Sequence, residues 1–498
     1  MQNHPNAVRL LLGRARVGDV GHRRMGRYGR ERELRSLKLR KNNRGILTFP
    51  LCVPTYNLKM ADTAWSIREL RTALANGTES PGKLTDRAMA LANRNRSRNT
   101  YLWQSASWTR AEAARVELVP RGKGGVFGDG RGPLWGLPVS VKDCFDLAGS
   151  PTSSGTKFYR EKLGIATRDS WLVERLRAEG AVITGKTHLH PLAYGITGEN
   201  PDFGDCLQPR DATALTGGSS SGAAASVQED SAVFAIGTDT GGSIRTPAAL
   251  CGLAGYRATL GRGDWRGAAH LAESFDTMGG LFRNLEDAPQ LASLFAPGES
   301  APATVFTRFA VVGKTFLHDC EPRVVDSLRV TLRDLEELGL RGTWIDVDWW
   351  ADAVDIFAPI QAYEAARHHA GNFERFEASI RQRLEWGAGI GEVEIAALHE
   401  RHAAFRERMD ALFAEHQLVL LPAAPLRRLD AGADHSKTRG RILRYTAPFS
   451  LAGVPAVTIP GAAGGVQMAA ARGCDEGLLA LTAQLGAARN AKAVVKSA

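Results

Sequence analysis

The chain has 498 residues, of which 44% are hydrophobic, so it can bury a substantial core in one large domain or in two to three smaller ones. Its net charge of +10 comes from the first 60 residues, which hold 14 Lys and Arg against 3 Asp and Glu. The rest is nearly neutral, which argues against a nucleic-acid-binding surface there. No apolar run reaches the roughly 18 residues that a membrane-spanning helix needs, so a membrane protein is not expected.

The cysteines are widely spaced and include no C-x-x-C pair, which favours neither a zinc site nor a disulfide framework. A reducing, cytoplasmic compartment fits this pattern best. The six positions are Cys52, Cys144, Cys206, Cys251, Cys320 and Cys474.

Residues 1–59 are basic and lack apolar periodicity, so we expect a disordered extension or a translation start assigned too far upstream. Beyond Met60, Ile67, Leu70 and Leu74 recur at helical spacing and Gly77 is placed to end that helix. The folded domain is therefore expected to span residues 60–498.

Helical and strand patterns alternate from residue 60 onward, which predicts an α/β architecture. In the first half we expect helices at 108–118, 170–180, 223–230 and 247–252, and strands at 137–143, 181–185 and 232–237. In the second half we expect strands at 309–313, 344–349 and 418–422, a helix at 321–338 and long polar helices across 350–415. The charged stretch 345–415 is interpreted as an insertion or cap.

The segment GAVITGKT, residues 180–187, matches the phosphate-loop pattern G-x-x-x-x-G-K-[ST]. Its context contradicts that function, because a helix precedes Gly180 and an apolar strand fills the space between the glycines. We interpret the segment as a helix end followed by a core strand.

Residues 218–222, GSSSG, satisfy the G-x-S-x-G nucleophile elbow with Ser220 as nucleophile. An esterase of this type also needs a downstream acid and histidine, and His399, His402 and His435 have no distinguishing local context. Alternatively, the serines at 219–221 cap the helix that follows them.

Two further features suggest chemistry. Lys142 ends an apolar strand, where burial would lower its pKa toward the working pH and make it a base, unless its stem simply extends to solvent. In GTDTGGSIRTPAALCG, residues 237–252, glycines beside Ser243 are typical of a tight turn, but they also permit several N–H groups to converge on an oxyanion.

Three motifs occur in order: WGLPVSVKD, then ALTGGSSSGAAASV, then GTDTGGSIRTPA. Together they resemble the amidase signature family of serine amidohydrolases, whose two catalytic serines are 24 residues apart, as are Ser219 and Ser243. The resemblance covers most of residues 60–490. It implies a mixed sheet enclosed by helices.

The resemblance makes Ser243 the nucleophile, Ser219 the bridging serine and Lys142 the terminal base. It also implies a cis peptide bond before Ser219. The expected oxyanion hole consists of main-chain N–H groups, contributed by Thr240, Gly241, Gly242 and Ser243.

Neighbouring residues have expected supporting roles. Asp239 and Arg245 are expected to hold the loop by an ion pair or backbone hydrogen bonds, and Ser220 to support the catalytic residues by hydrogen bonding. The sequence departs from the family pattern at Ser221 and Ala223, at YRAT (residues 256–259) and in a shortened segment at 457–470. These departures bear on the substrate more than on the chemistry.

The implied activity is hydrolysis of a carboxylic amide to acid plus ammonia or amine, through an acyl-serine intermediate and without metal or cofactor. A small-molecule amide is the expected partner, and a homo-oligomer is allowed. The main alternative is the A subunit of a glutamyl-tRNA or aspartyl-tRNA amidotransferase, which releases ammonia from glutamine. An esterase that uses Ser220 is a weaker alternative.

Overall fold

The computed structural model describes residues 66–119, 131–295 and 304–497. Its strands are β1 (Tyr101–Trp103), β2 (Pro138–Lys142), β3 (Val182–Thr187), β4 (Leu207–Gln208), β5 (Asp211–Leu215), β6 (Phe234–Asp239), β7 (Ala254–Arg257), β8 (Thr277–Phe282), β9 (Arg308–Val312), β10 (Arg341–Ile345), β11 (Leu418–Pro422), β12 (Ala456–Gly461) and β13 (Gly464–Ala470). The expected extension at 1–59 lies outside the described residues.

The helices alternate with these strands in the chain. They are α1 (Ile67–Asn76), α2 (Pro81–Arg94), α3 (Ala106–Glu117), α4 (Lys157–Leu163), α5 (Trp171–Ala178), α6 (Ser221–Gln228), α7 (Arg245–Cys251), α8 (Ala292–Phe295), α9 (Pro322–Glu337), α10 (Ala353–His368), α11 (Ala378–Ala388), α12 (Glu392–His416), α13 (Thr438–Ala452) and α14 (Asp475–Ser497).

Eleven of the described strands form one mixed sheet, in the order β1-β3-β2-β6-β8-β7-β12-β13-β11-β9-β10. β2 runs parallel to β3 and β6, whereas β6 pairs with β8 and β11 with β13 in antiparallel fashion. The central strands are buried along their whole length, so they are apolar runs rather than alternating patterns. The expected α/β class and mixed sheet are confirmed.

The parallel pairing of β2 and β6 positions the candidate site. Val141 lies beside Ile236 in this register, so both strands end at the same edge of the sheet, β2 at Lys142 and β6 at Asp239. The loop that follows β6 leads directly into α7, which packs against β7, β12 and β13.

The first helix follows its apolar pattern closely. Ile67, Leu70 and Leu74 are buried, Ser66 caps the start, and Gly77 ends the helix in the left-handed conformation at φ 79°.

The strand expected at 344–349 is wrong beyond its first two residues, and the observed strand β10 begins earlier, at Arg341. β10 ends at Ile345, where its neighbour β9 ends at Val312, and the chain then forms a 3₁₀ turn over Asp348–Asp352. The alternating pattern suits a strand, but no further backbone of β9 is there to pair with it, and the turn buries Trp350.

Candidate active site

Lys142 is completely buried at the end of β2, and its amine contacts two hydroxyls. Its Nζ lies 2.7 Å from Ser219 Oγ and 2.7 Å from Thr238 Oγ1. Ser219 follows a cis peptide bond, Gly218–Ser219, at the position expected from the sequence. Two of the three expected catalytic side chains are therefore in direct contact.

Ser243 contacts Ser220, the residue that follows Ser219. Its carbonyl oxygen accepts a hydrogen bond from the Ser220 N–H at 3.1 Å, and the residue is 5% exposed, whereas Ser219 has no exposed surface. The hydrogen bonds of the described residues do not include one between the Ser219 and Ser243 hydroxyls. The site thus holds a buried lysine and serine next to a second serine that reaches the surface.

Burial lowers the pKa of Lys142 to about 8, from an ordinary value of 10.5. Nearby acidic groups, Asp239 and Asp276 among them, oppose this effect without cancelling it. The expected direction of the pKa shift is confirmed, and the cause is removal of the ammonium from water. A substantial neutral fraction of Lys142 is therefore available in mildly alkaline solution.

The Asp239 carboxylate organises the loop from Asp239 to Arg245. It accepts hydrogen bonds from the N–H groups of Gly242 (2.8 Å) and Ile244 (3.1 Å) and pairs with Arg245 at 2.9 Å. Arg257 adds a second cation at 3.0 Å. The expected role of Asp239 and Arg245 as the residues that hold the loop agrees with these contacts.

Arg245 ties the loop to the other half of the sheet. Its guanidinium donates to the Thr446 carbonyl (3.0 Å), the Ser450 hydroxyl (2.8 Å) and Gln467 Oε1 (2.9 Å). Because Arg245 and Asp239 have no exposed surface, these bonds fix the loop in a medium where water cannot compete.

One expected oxyanion donor is already engaged. The Gly242 N–H donates to Asp239, so it differs from the expectation of a free donor. Within the described part of the chain, no loop or side-chain hydrogen bond uses the N–H groups of Thr240, Gly241 or Ser243. These three remain available for a ligand.

The two glycines of this loop are required by close packing. A Cβ on Gly241 would lie 2.8 Å from Phe357 Cζ and 3.0 Å from Leu443 Cδ2. Gly242 has φ +116°, and a Cβ there would lie 2.8 Å from Thr446 Cγ2. The stretch 345–415, interpreted as an insertion or cap, thus contributes Phe357 of α10 to the wall of the site.

The contacts of Ser220 match neither the nucleophile elbow nor a helix cap, and they leave its expected supporting role as a prediction. Its hydroxyl donates to the Thr238 carbonyl at 3.2 Å, and no serine side chain caps α6. His402 contacts the Leu451 carbonyl and His435 the Asp430 carbonyl, and the hydrogen bonds of the described residues join neither these two nor His399 to Ser220. The geometry of an esterase elbow is absent among these described residues.

The phosphate-loop match at 180–187 is a core strand, as interpreted. β3 occupies residues 182–187 of this match, and Lys186 is buried with its Nζ 2.7 Å from Asp143 Oδ1 and 2.7 Å from the Pro151 carbonyl.

The five described cysteines are free thiols, and burial raises the pKa of Cys144 to about 11, which leaves it unreactive.

Metal-binding clusters and membrane-spanning helices are both absent from the part of the chain that the structure describes. No cluster of His, Cys, Asp or Glu in that part can hold a metal ion. None of the described helices is both long enough and apolar enough to cross a membrane.

Sequence reasoning missed Thr238, Arg257, Gln467 and Asp276. Asp276 accepts from Thr240 Oγ1 at 2.6 Å and so holds Thr240 in the loop from Asp239 to Arg245. Arg257 lies within the YRAT departure, and a charged residue inside a buried strand was a usable signal for it. Thr238 and Gln467 are ordinary residues of strands and gave no signal.

Comparison with known proteins agrees with this architecture. A family profile described as Amidase matches residues 83–479. The 2-amino-5-chloromuconic acid deaminase of Comamonas testosteroni is 32% identical over 394 residues, 73% of this chain and 81% of the relative. The A subunit of the glutamyl-tRNA(Gln) amidotransferase from Synechococcus sp. (strain CC9605) is 28% identical over 450 residues, 80% of this chain and 89% of the relative.

A solved structure described as an amidase superposes with a TM-score of 0.76 at 31% identity, over 85% of this chain and 99% of that chain. Fold and likeness together define a hydrolase that acts on carbon–nitrogen bonds of amides. The chain belongs to the amidase family, as the three sequence motifs indicated.

Proposed function

We propose that the chain hydrolyses a small carboxylic amide with Ser243 as nucleophile, Ser219 as bridging serine and Lys142 as base. One observation carries this proposal: the Lys142 amine, fully buried and with its pKa lowered to about 8, lies 2.7 Å from Ser219 Oγ. A neutral amine in that position has a hydroxyl proton to accept, and Ser243, which retains a little exposed surface, lies next to it.

In the acylation step, neutral Lys142 takes the Ser219 proton while Ser219 takes the Ser243 proton, and Ser243 Oγ bonds to the amide carbon. The carbon–nitrogen bond then breaks, and the relay returns one proton to the departing amine. Water next attacks the acyl-serine, and the acid leaves as Ser243 regains its proton. The two hydroxyls need to approach when substrate binds, as catalytic hydrogen bonds often tighten only in the complex.

The oxyanion formed by this attack needs convergent donors. The N–H groups of Thr240, Gly241 and Ser243 are the proposed donors, because the loop already fixes them and the loop and side-chain hydrogen bonds of the described residues leave them free. The Gly242 N–H, bonded to Asp239 at 2.8 Å, instead keeps the loop in shape. Removing one such donor typically lowers kcat by about 10²–10³.

We further propose a free-standing amidase rather than a subunit of a tRNA-dependent amidotransferase, in a cytoplasmic setting. The nearly neutral sequence beyond residue 60 supports this choice, since it offers no basic surface for tRNA. The amidotransferase subunit remains the second candidate, supported by the 28% identical relative.

A fluorophosphonate probe with peptide mapping tests the nucleophile. We expect the label on Ser243, no label in Ser243→Ala, and strongly reduced labelling in Lys142→Ala. Ser220→Ala is the matched control, because Ser220 has a comparable hydroxyl bonded elsewhere, and it should still be labelled. A label on Ser220 in the wild-type chain would refute the assignment.

Ammonia release from a panel of aliphatic and aryl amides tests free-standing action. Turnover by the purified chain alone, lost in Ser243→Ala, is the expected result. Ammonia release from glutamine that requires a partner protein and charged tRNA would establish the second candidate instead.

A further inference from the structure

Two partly buried arginines lie near the aromatic ring of one buried tyrosine, Tyr194. The Cζ atoms of Arg383 and Arg439 lie 4.3 Å and 5.7 Å from the ring centroid of Tyr194, which is 1% exposed. Arg383 donates to the Ser379 carbonyl at 3.0 Å and to the Tyr194 carbonyl, and Arg439 donates to Gln361 Oε1 at 2.9 Å. No carboxylate of the described residues forms an ion pair with either guanidinium.

Glu377, a carboxylate with an electrostatic effect on Arg383, already binds other groups. Glu377 caps α11, where its carboxylate accepts from the N–H groups of Ser379 (2.8 Å) and Ile380 (2.9 Å). Burial, followed by the positive charge of Arg439, lowers the pKa of Arg383 to about 10. Arg383 and Arg439 repel each other in a partly buried place, so a bound anion would stabilise both charges.

Two helices, α13 and α10, relate Arg439 to the loop from Asp239 to Arg245. On α13, Arg439 precedes Leu443 and Thr446 on the same face, and Thr446 Oγ1 donates to the Gly241 carbonyl at 2.6 Å. On α10, the Arg439 acceptor Gln361 lies one turn after Phe357, which packs against Gly241. Arg439 therefore lies about one to two helical turns, roughly 6–11 Å along the axis of α13, from Leu443 and Thr446, which contact the loop.

His190 connects the arginines to the serines. Its main-chain N–H donates to the Ser219 carbonyl at 3.2 Å, and its Nδ1 is buried without a hydrogen-bond partner. Burial and then the positive charge of Arg383 hold the pKa of His190 well below its usual range, with smaller contributions from Arg439 and Lys142. A neutral ring with an unpartnered nitrogen thus lies within electrostatic reach of both parts of the site.

We propose that Arg383 and Arg439 bind a carboxylate of the substrate, so that this amidase acts on amides that carry a carboxylate a few carbon atoms from the scissile bond. The inference rests on the proposed function, because it places the scissile carbonyl at the Gly241 loop. Arginine suits this task because its planar donors match a carboxylate.

The test compares succinamate, glutaramate and adipamate with the uncharged amides of equal length, butanamide, pentanamide and hexanamide. For the best-fitting length, we expect kcat/KM to be about 10–100-fold higher for the carboxylated amide, as a charge-assisted hydrogen-bonded pair predicts. Arg439→Gln should lower this ratio by about tenfold or more, and Arg439→Lys should restore part of it.

Arg441→Gln is the matched control, because Arg441 is on the same helix but pairs with Asp319 at 3.5 Å and is 47% exposed. It should leave the ratio unchanged. A wild-type chain that hydrolyses the uncharged amides as well as the carboxylated ones would overturn the proposal, as would an Arg439→Gln variant with the wild-type ratio.

Binding to Ser243→Ala separates this proposal from the proposed function. Titration calorimetry should show tighter binding of the carboxylated amide than of its uncharged counterpart, and Arg439→Gln in that background should remove the difference. If wild type hydrolyses neither amide but this preference in binding is found, only the proposed function fails. Equal binding, or none, overturns the carboxylate site.

Discussion

Lys142 and Lys186 are two completely buried lysines with opposite electrostatic surroundings. Lys142 contacts only hydroxyls through its amine, at 2.7 Å from Ser219 and from Thr238, whereas Lys186 pairs with Asp143 at 2.7 Å. Replacing each by methionine, which keeps the chain length and removes the charge, should change stability in opposite directions.

The magnitude follows from the contacts. The fall in the pKa of Lys142 from 10.5 to about 8 means that burying its charged form costs about 3 kcal/mol at pH 7. Losing its two hydrogen bonds offsets about 1–2 kcal/mol of that, so Lys142→Met should raise the free energy of unfolding by about 1–2 kcal/mol. Lys186→Met leaves the Asp143 carboxylate buried without its cation and should lower the free energy of unfolding by about 3–5 kcal/mol.

The effect of Lys142→Met depends on pH. Between about 8 and 10.5, the unfolded chain binds a proton on Lys142 that the folded chain has lost, so wild-type stability rises with pH relative to the variant. The increase in the free energy of unfolding that Lys142→Met produces should therefore be smaller by about 1.4 kcal/mol at pH 9 than at pH 7.

Urea unfolding followed by tryptophan fluorescence measures this difference at pH 7 and pH 9, and the variant should have no amidase activity. A Lys142→Met variant that is less stable than wild type by the same amount at both pH values would refute the reasoning. That result would mean that the wild-type lysine is not destabilised by its burial.

Three other outcomes are expected from the same contacts. In the wild-type enzyme, kcat/KM should rise as pH increases through about 8, because only neutral Lys142 accepts a proton; a profile flat from pH 6 to pH 9 would contradict this. Thr238→Val should move that midpoint to lower pH, since the ammonium loses an acceptor, and a midpoint that stays in place would argue against the contact. Gly241→Ala should lower kcat by about 10²–10³ with a smaller change in KM, because a Cβ 2.8 Å from Phe357 displaces an oxyanion donor; steady-state kinetics with normal kcat would exclude that donor.

Much of the fold followed from local patterns. The helix around Ile67, Leu70 and Leu74 and the strands that end at Lys142 and Asp239 were predictable, because burial imposes a period or an apolar run on the sequence. The strand expected at 344–349 failed after Ile345 because strand length depends on the partner strand, which sequence periodicity does not contain.

The candidate site was predictable only in part. Lys142, Ser219 and Ser243 were found because the three motifs occur in order, and the structure brings Lys142 into contact with Ser219. Gln467 was missed because its contact with Arg245 joins residues 222 positions apart, and a buried glutamine has no local signature. The engagement of the Gly242 N–H by Asp239 is likewise a matter of tertiary geometry.

Arg245 binds residues that lie far later in the sequence, and this has a consequence for synthesis of the chain on the ribosome. Its partners Thr446, Ser450 and Gln467 are synthesised only after about 200 further residues have followed Ser243, so during that interval the serine lacks the bonds that fix its loop. Hydrolytic competence is therefore acquired late, when the final strands dock, and a nascent or prematurely terminated polypeptide has no working centre.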